Sequence, residues 1–194
     1  MITTKQAIWM KFPDYPWLQE AWEQVQRFAK ESRCYKTSRI FPTDVNNHNT
    51  LFGGKLMAYI DDIASIAATK HSRCSVVTAS TDSVDFLSPV RPSDSVCLEA
   101  YVTWTGRSSM EVFVKVSTED LLSGTRKIAA TSFLTFVALN AEGRPSPVPQ
   151  VVPESEEERK LFETAEARAE MRRLRREQSR NFAGVLTTTF PWET

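Results

Sequence analysis

Apolar residues fall at helical spacing over residues 16–30, "PWLQEAWEQVQRFAK", where Leu18, Ala21, Trp22, Val25, Phe28 and Ala29 share a face and Pro16 suits a first turn. The spacing predicts an amphipathic helix that docks on the main body or on a neighbouring subunit. Residues 33–41 read as a strand that Pro42 ends. From Gly54 to Lys70 the period is helical again, and the segment is apolar round most of its circumference. Ala58, Ala64, Ser65, Ala67 and Ala68 would let surrounding backbone approach closely. A helix of that kind is expected to be buried on most sides.

The period then switches to two. Residues 75–87 alternate and stop at Ser88-Pro89. In 94–106 the apolar phase runs through Val96, Leu98, Ala100, Val102 and Trp104, and in 108–120 through Met110, Val112, Val114 and Val116. Gly106-Arg107 makes a tight hairpin turn between these two runs. Residues 121–125 turn the chain into 126–140, which is apolar on both faces toward its end and so is expected to be covered on both sides. Strand, long helix and four-strand meander predict an α+β fold, one antiparallel sheet wrapped around a central helix. The chain thus divides into an N-terminal extension (1–32), this domain (33–140) and a C-terminal segment (141–194). The last comprises a proline-rich connector, a charged helix over 154–178 and a tail. Acids open that helix and Arg172, Arg173, Arg175 and Arg176 close it, an order that suits the helix dipole.

Composition narrows the partners. Lysines and arginines balance aspartates and glutamates in the 194 residues, so nothing favours nucleic acid or an anionic membrane as the main partner. Three cysteines without a CxxC pair, with two histidines, argue against a zinc site or a disulfide framework and for reduced thiols in a cytoplasm. The first seventeen residues lack the apolar core of a signal peptide, and no window approaches a membrane span. A soluble, cytoplasmic protein without membrane insertion is the expectation.

Glycine is scarce, six in all, yet two stand together in residues 46–62, "NNHNTLFGGKLMAYIDD". A polar, amide-rich stretch leads into Gly53-Gly54, and Asp61 then interrupts the apolar helix. A glycine pair before a helix is most often a turn, and a mid-helix aspartate is most often a solvated surface residue. The phrase "TLFGGKLMAYID", followed by the strand "TASTDSVDFLSPVRPSD" and the hairpin "GRSSMEV", resembles the hotdog-fold acyl-CoA thioesterases of the single-domain bacterial type related to cytosolic acyl-CoA hydrolase. The resemblance covers residues 33–140, one complete hotdog unit.

What the resemblance implies is hydrolysis of acyl-CoA to free fatty acid and coenzyme A, at a site shared by two subunits, with no metal and no cofactor beyond the coenzyme A of the substrate itself. The helix carboxylate becomes Asp61, which activates water, and the loop asparagine becomes Asn46, which orients that water or holds the thioester carbonyl. The amides of Gly53 and Gly54, at a helix N-terminus, become the oxyanion donors. Asp61 lies seven residues, about 10 Å, beyond Gly54, so one chain would supply the amides and the other the carboxylate. Partial burial among Met57, Ala64 and Ala68 is expected to make Asp61 a better base. Asp62, about 100° further round the helix, reads as structural.

The same resemblance places the nucleotide of coenzyme A at Arg107, Ser108 and Ser109, with Arg91 as a further cation, and the pantetheine arm along Val84, Asp85 and Phe86. The family glycine two residues before Leu51 is replaced here by Asn49, which tolerates a left-handed turn better than most residues. His48 is the competing base. It would fit the alternative of an acyl-thioester hydratase or dehydratase, and a non-catalytic acyl-CoA sensor is the third reading. The family implies a homo-oligomer, at least a dimer with a continuous sheet, assembled as a hexameric trimer of dimers.

Overall fold

The computed structural model of the chain describes residues 25–189 and Trp192. In chain order these form β1 (Gln26–Phe28), α1 (Ala29–Ser32), β2 (Cys34–Arg39), a 3-10 turn (Pro42–Asp44), α2 (Gly53–Ser72) and β3 (Ser75–Phe86). They continue with β4 (Asp94–Thr105), β5 (Ser109–Asp120), β6 (Arg126–Leu139), β7 (Gln150–Val152), α3 (Glu156–Glu163) and α4 (Ala165–Ala183). Five strands make one sheet in the order β2-β4-β5-β6-β3, every neighbouring pair antiparallel. The hotdog architecture is thus present, with β2 and β3 at its edges.

The helix expected over 16–30 lies outside the described residues as far as residue 24. Of its last part, Gln26–Phe28 are not helical but pair in parallel with Gln150–Val152, and only Ala29 and Lys30 are helical, as the start of α1. β7 is a three-residue strand, and pairing its backbone with β1 in a second small sheet outweighs local helix propensity.

Helix α2 packs on the inner face of the sheet through Leu56, Ile60, Ile63, Ala64, Ala67 and Ala68, a stripe at three- and four-residue spacing. It ends at Arg73, whose backbone is left-handed (φ 59°) and whose N–H donates to the Thr69 carbonyl. Among the described residues the opposite side of α2 is open. Met57 and Ile66 are each 47% exposed, and Asp61 and Asp62 are exposed with them. Burial on most sides is therefore not met by a single chain, because a five-stranded sheet, about 24 Å wide, curls past one flank of a helix only.

The inner face carries Val96, Leu98, Ala100 and Val102 against Met110, Val112, Val114 and Val116, all fully buried. Trp104 leaves that phase. The β4–β5 register slips between Val102 and Trp104, so Trp104 pairs with Glu111 on the outer face. The outer face is covered by the C-terminal segment. Tyr101 donates to Glu157 of α3 at 2.8 Å, and Arg168 of α4 stacks 4.2 Å over the Phe133 ring of β6. Coverage of β6 on both sides, expected from its composition, is met by α2 and α4.

The charged helix is two helices. Ser155 caps the first, accepting from the Glu158 amide at 3.2 Å while the Glu158 carboxylate accepts from the Ser155 amide at 3.0 Å. At Thr164 the hydroxyl turns back to the carbonyls of Lys160 and Leu161, and the chain restarts as α4. α4 then runs to Ala183, past the expected end at 178. What bolts α4 to the sheet is Glu111, fully buried on β5. Arg168 Nη2 meets its Oε1 at 2.7 Å, Arg172 Nη1 meets its Oε2 at 2.7 Å, and Thr103 Oγ1 donates to Oε1 at 2.9 Å.

Candidate active site

The loop before α2 is built around Asn46. Its Oδ1 accepts from the His48 amide at 2.9 Å and from the Thr50 amide and hydroxyl at 3.3 and 3.2 Å. The backbone closes the same loop through Asn46 N–H to Thr50 C=O at 2.9 Å and Asn49 N–H to Asn46 C=O at 3.0 Å. Asn49 takes a left-handed conformation (φ 56°), as expected of an asparagine standing where the family has glycine. Leu51 N–H then donates to Val90 C=O and Phe52 N–H to Asp44 C=O, both at 2.8 Å, which anchors the approach to the helix.

Gly53 and Gly54 are the first two residues of α2. Lys55 and Leu56 both donate back to the Phe52 carbonyl, whereas the N–H groups of Gly53 and Gly54 have no carbonyl within the helix to meet. A side chain at 54 would meet the Phe52 ring 2.6 Å from its Cβ, so the exposed ring would have to swing aside. At 53 an added Cβ would rest 3.6 Å from the Phe86 ring, an ordinary contact. Gly53 lines a cleft of ≈ 440 Å³ together with Asn46, Thr50, Phe86, Leu87 and Ser88. Three residues named from the sequence (Asn46, Gly53 and Phe86) thus come together, and Val84 and Asp85 continue the same edge strand.

Asp61 stands two turns along and does not reach this cleft. It is exposed in the single chain, not partly buried as expected, because its side of α2 faces away from the sheet's concave core. Its Oδ1 accepts a hydrogen bond from Thr78 Oγ1 of β3 at 2.9 Å. Thr78 was not singled out in the sequence: a threonine in a strand carries no signal until the helix above it is placed. Asp62 pairs with Lys36 at 2.5 Å, consistent with its structural reading. His48 is exposed in the loop and its amide, through Asn46, is its described tie to the site.

Two half-sites result, at opposite ends of β3. Phe86 is in register with Ala130 of β6, while Thr78 is in register with Phe136 and Val77 with Val137. Six positions along β6, from 130 to 136, separate the Phe86 end from the Thr78 end by about 20 Å. The hairpin residues lie at the Thr78 end, since Ser109 is also in register with Val137. Arg107 is exposed on that hairpin, its carbonyl accepting from Val148 N–H at 2.9 Å, and the Ser108 carbonyl accepts from Ala138 N–H at 2.9 Å. Arg91 is exposed at the other end, next to Val90 of the cleft, with its amide on Asp94 Oδ2 at 3.0 Å. Among the described residues no group of histidines, cysteines or acids is arranged to hold a metal ion, and no helix is long and apolar enough to cross a membrane.

A curled antiparallel sheet around one helix, with a glycine pair at the helix start and a carboxylate two turns in, defines a hotdog protein of the thioesterase class. Residues 48–125 match the thioesterase superfamily. The chain is 64% identical over 166 residues to an uncharacterized acyl-CoA thioester hydrolase of Bacillus subtilis, covering 86% of this chain and 96% of that one. It belongs to the thioesterase superfamily. Among solved structures it is similar to an acyl-CoA hydrolase of Staphylococcus aureus in complex with butyryl coenzyme A, coenzyme A and coenzyme A disulfide (47% identity, TM-score 0.79, 82% of this chain and 97% of that one). It is also similar to a hexameric acyl-CoA thioesterase (50% identity, TM-score 0.76, 78% and 97%). Alanine variants of the staphylococcal enzyme replace an asparagine, an aspartate fifteen residues after it and a threonine seventeen residues further on. Asn46, Asp61 and Thr78 have the same spacing.

Proposed function

We propose that this protein hydrolyses acyl-CoA thioesters to a free fatty acid and coenzyme A at sites formed between two copies of the chain. The observation that carries the reading is the division of the site: Asp61 and Thr78 stand at one end of β3, and Asn46 and the glycine amides at the other. A second copy with its β3 antiparallel to the first would bring each half against its complement. The faces such a pairing needs are apolar and exposed in one chain: Val77 and Phe86 on the β3 edge, Met57 and Ile66 on α2. Similarity to a hexameric thioesterase supports assembly beyond the dimer, which we take as three dimers.

In that site Asp61 accepts a proton from water, whose oxygen attacks the thioester carbonyl carbon. The Thr78 hydroxyl fixes the carboxylate through Oδ1 and leaves Oδ2 for the water. The partner's Gly53 and Gly54 amides take the charge that develops on the carbonyl oxygen, a contribution on the order of 3 kcal/mol for one such donor. The Asn46 amide group, its Oδ1 engaged by the loop, offers Nδ2 to the carbonyl or the water. The C–S bond then breaks, and the proton that left the water passes to the thiolate of coenzyme A. No step calls for a metal or a further cofactor. Arg107, Ser108 and Ser109 bind the nucleotide end, and Val84–Phe86 wall the pantetheine arm. The unit that does this is residues 33–140, and three free cysteines suit a reducing cytoplasm.

Free-thiol release from acyl-CoAs of rising chain length tests the reading, on wild type and Asp61→Asn with His48→Ala alongside. Turnover by wild type and His48→Ala, and loss of at least a hundredfold in a folded, oligomeric Asp61→Asn, is the expected result. Loss in His48→Ala alone would make histidine the base. Binding of acyl-CoA by wild type without thiol release would make the protein a sensor.

A further inference from the structure

A groove of ≈ 510 Å³ runs between α4 and the outer face of the sheet, at the hairpin end. Trp104 and Ser109 form one wall, and Arg173, Arg176, Arg180 and Glu177 of α4 form the other. Arg172 at its base is already committed to Glu111 and Asp82, and Arg173 meets Glu170 at 2.8 Å. Arg176 and Arg180 make no ion pair among the described residues. With Arg172 they repeat every four positions, so α4 stacks like charges along one face, an arrangement that weakens a helix. Folding does not account for them. The register slip at Trp104 turns an indole into this same groove, where a regular strand would have placed it in the core.

The chemistry of such a groove is that of a phosphorylated nucleotide: guanidinium forks for phosphate and an aromatic surface for a base. The hairpin alone is thinly charged for that task. Coenzyme A carries a pyrophosphate and a 3′-phosphate, about four negative charges near neutral pH, against one arginine at 107. Ser109 belongs both to the hairpin and to the groove, and the groove lies about 10 Å, two strand spacings, from Val77 on the outer face of β3, with the Thr78–Asp61 pair at the same end of that strand but on its inner face.

We infer that Arg176 and Arg180 of α4, with Trp104, form the phosphate- and adenine-binding wall for the nucleotide end of coenzyme A. This rests on the acyl-CoA hydrolase reading and extends the site to a helix outside residues 48–125. The measurement is KM and kcat for one acyl group carried on coenzyme A and on pantetheine, with wild type and the double variant Arg176→Ala/Arg180→Ala. A rise in KM of about tenfold or more is expected for acyl-CoA, the penalty confined to the nucleotide-bearing substrate. Arg176→Lys/Arg180→Lys should recover part of it, and adenosine 3′,5′-bisphosphate should compete in wild type far better than in the double alanine variant. Equal effects on the two substrates, or no change in either, overturn the assignment. If wild type cleaves neither substrate, the hydrolase reading fails by itself. Calorimetric binding of adenosine 3′,5′-bisphosphate, lost or kept in the double variant, then still decides the groove.

Discussion

Replacing Thr78 by valine removes one hydroxyl and nothing else of consequence. The branched shape is kept, and the backbone pairing of residue 78 with Phe136 is untouched. What is lost is the 2.9 Å bond to Asp61 Oδ1. Hydrogen bonds to charged groups are worth about 1.5–3 kcal/mol, and the lower figure sets the smallest effect expected. At about 1.4 kcal/mol per factor of ten, Thr78→Val should lower kcat roughly tenfold with little change in stability. Thr78→Ser keeps the hydroxyl and should fall within about threefold of wild type. Because the bond acts through the carboxylate, Thr78→Val should cost almost nothing further in an Asp61→Asn background. The assay is steady-state thiol release, with thermal denaturation and oligomeric state checked for each variant. A rate for Thr78→Val within twofold of wild type would refute the reasoning, and so would a serine variant as slow as the valine one.

Two further predictions concern the frame around the site. Glu111→Gln leaves Arg168 and Arg172 facing a neutral amide inside the α4–sheet contact, so urea denaturation should show a loss of about 3 kcal/mol, in the range for breaking a buried pair. Trypsin should cut α4 sooner in that variant, and an unchanged urea midpoint would mean that α4 docks by its apolar contacts alone. His71 is fully buried with Nε2–H on the Pro149 carbonyl at 2.9 Å and Nδ1 without a hydrogen-bond partner among the described residues; burial, helped by the nearby Arg27 guanidinium, pulls its pKa down from 6.5 to about 4. The folded form therefore resists the proton that the unfolded chain accepts. His71 costs nothing above pH 6.5, and stability falls as pH drops from 6.5 toward 4, by about 1.4 kcal/mol per unit and about 3 kcal/mol in all. The difference between wild type and His71→Gln in urea midpoint should follow that window, and a constant difference from pH 7 to 4 would show that His71 does not titrate in it.

Much of this molecule is legible in the order of its residues. A twenty-residue apolar helix followed by four runs of period two leaves one economical packing, because the helix stripe and the alternate strand residues must hide each other from water. The glycine pair and the left-handed asparagine are local backbone requirements, and local requirements are written in local sequence. The breaks in pattern were harder to see. The slip that turns Trp104 outward is a change of ladder register against Glu111 in the same hairpin, which the alternation of residues does not mark, and Gln26–Phe28 pair with β7 although their own pattern is helical. The tertiary structure alone decided that α4 locks the outer face through a buried Glu111, that Thr78 is the partner of Asp61, and that Asp61 and the Gly53 cleft stand at opposite ends of β3. Each of these joins residues far apart along the chain, and a pairing energy exists only once folding has brought both members to the same place.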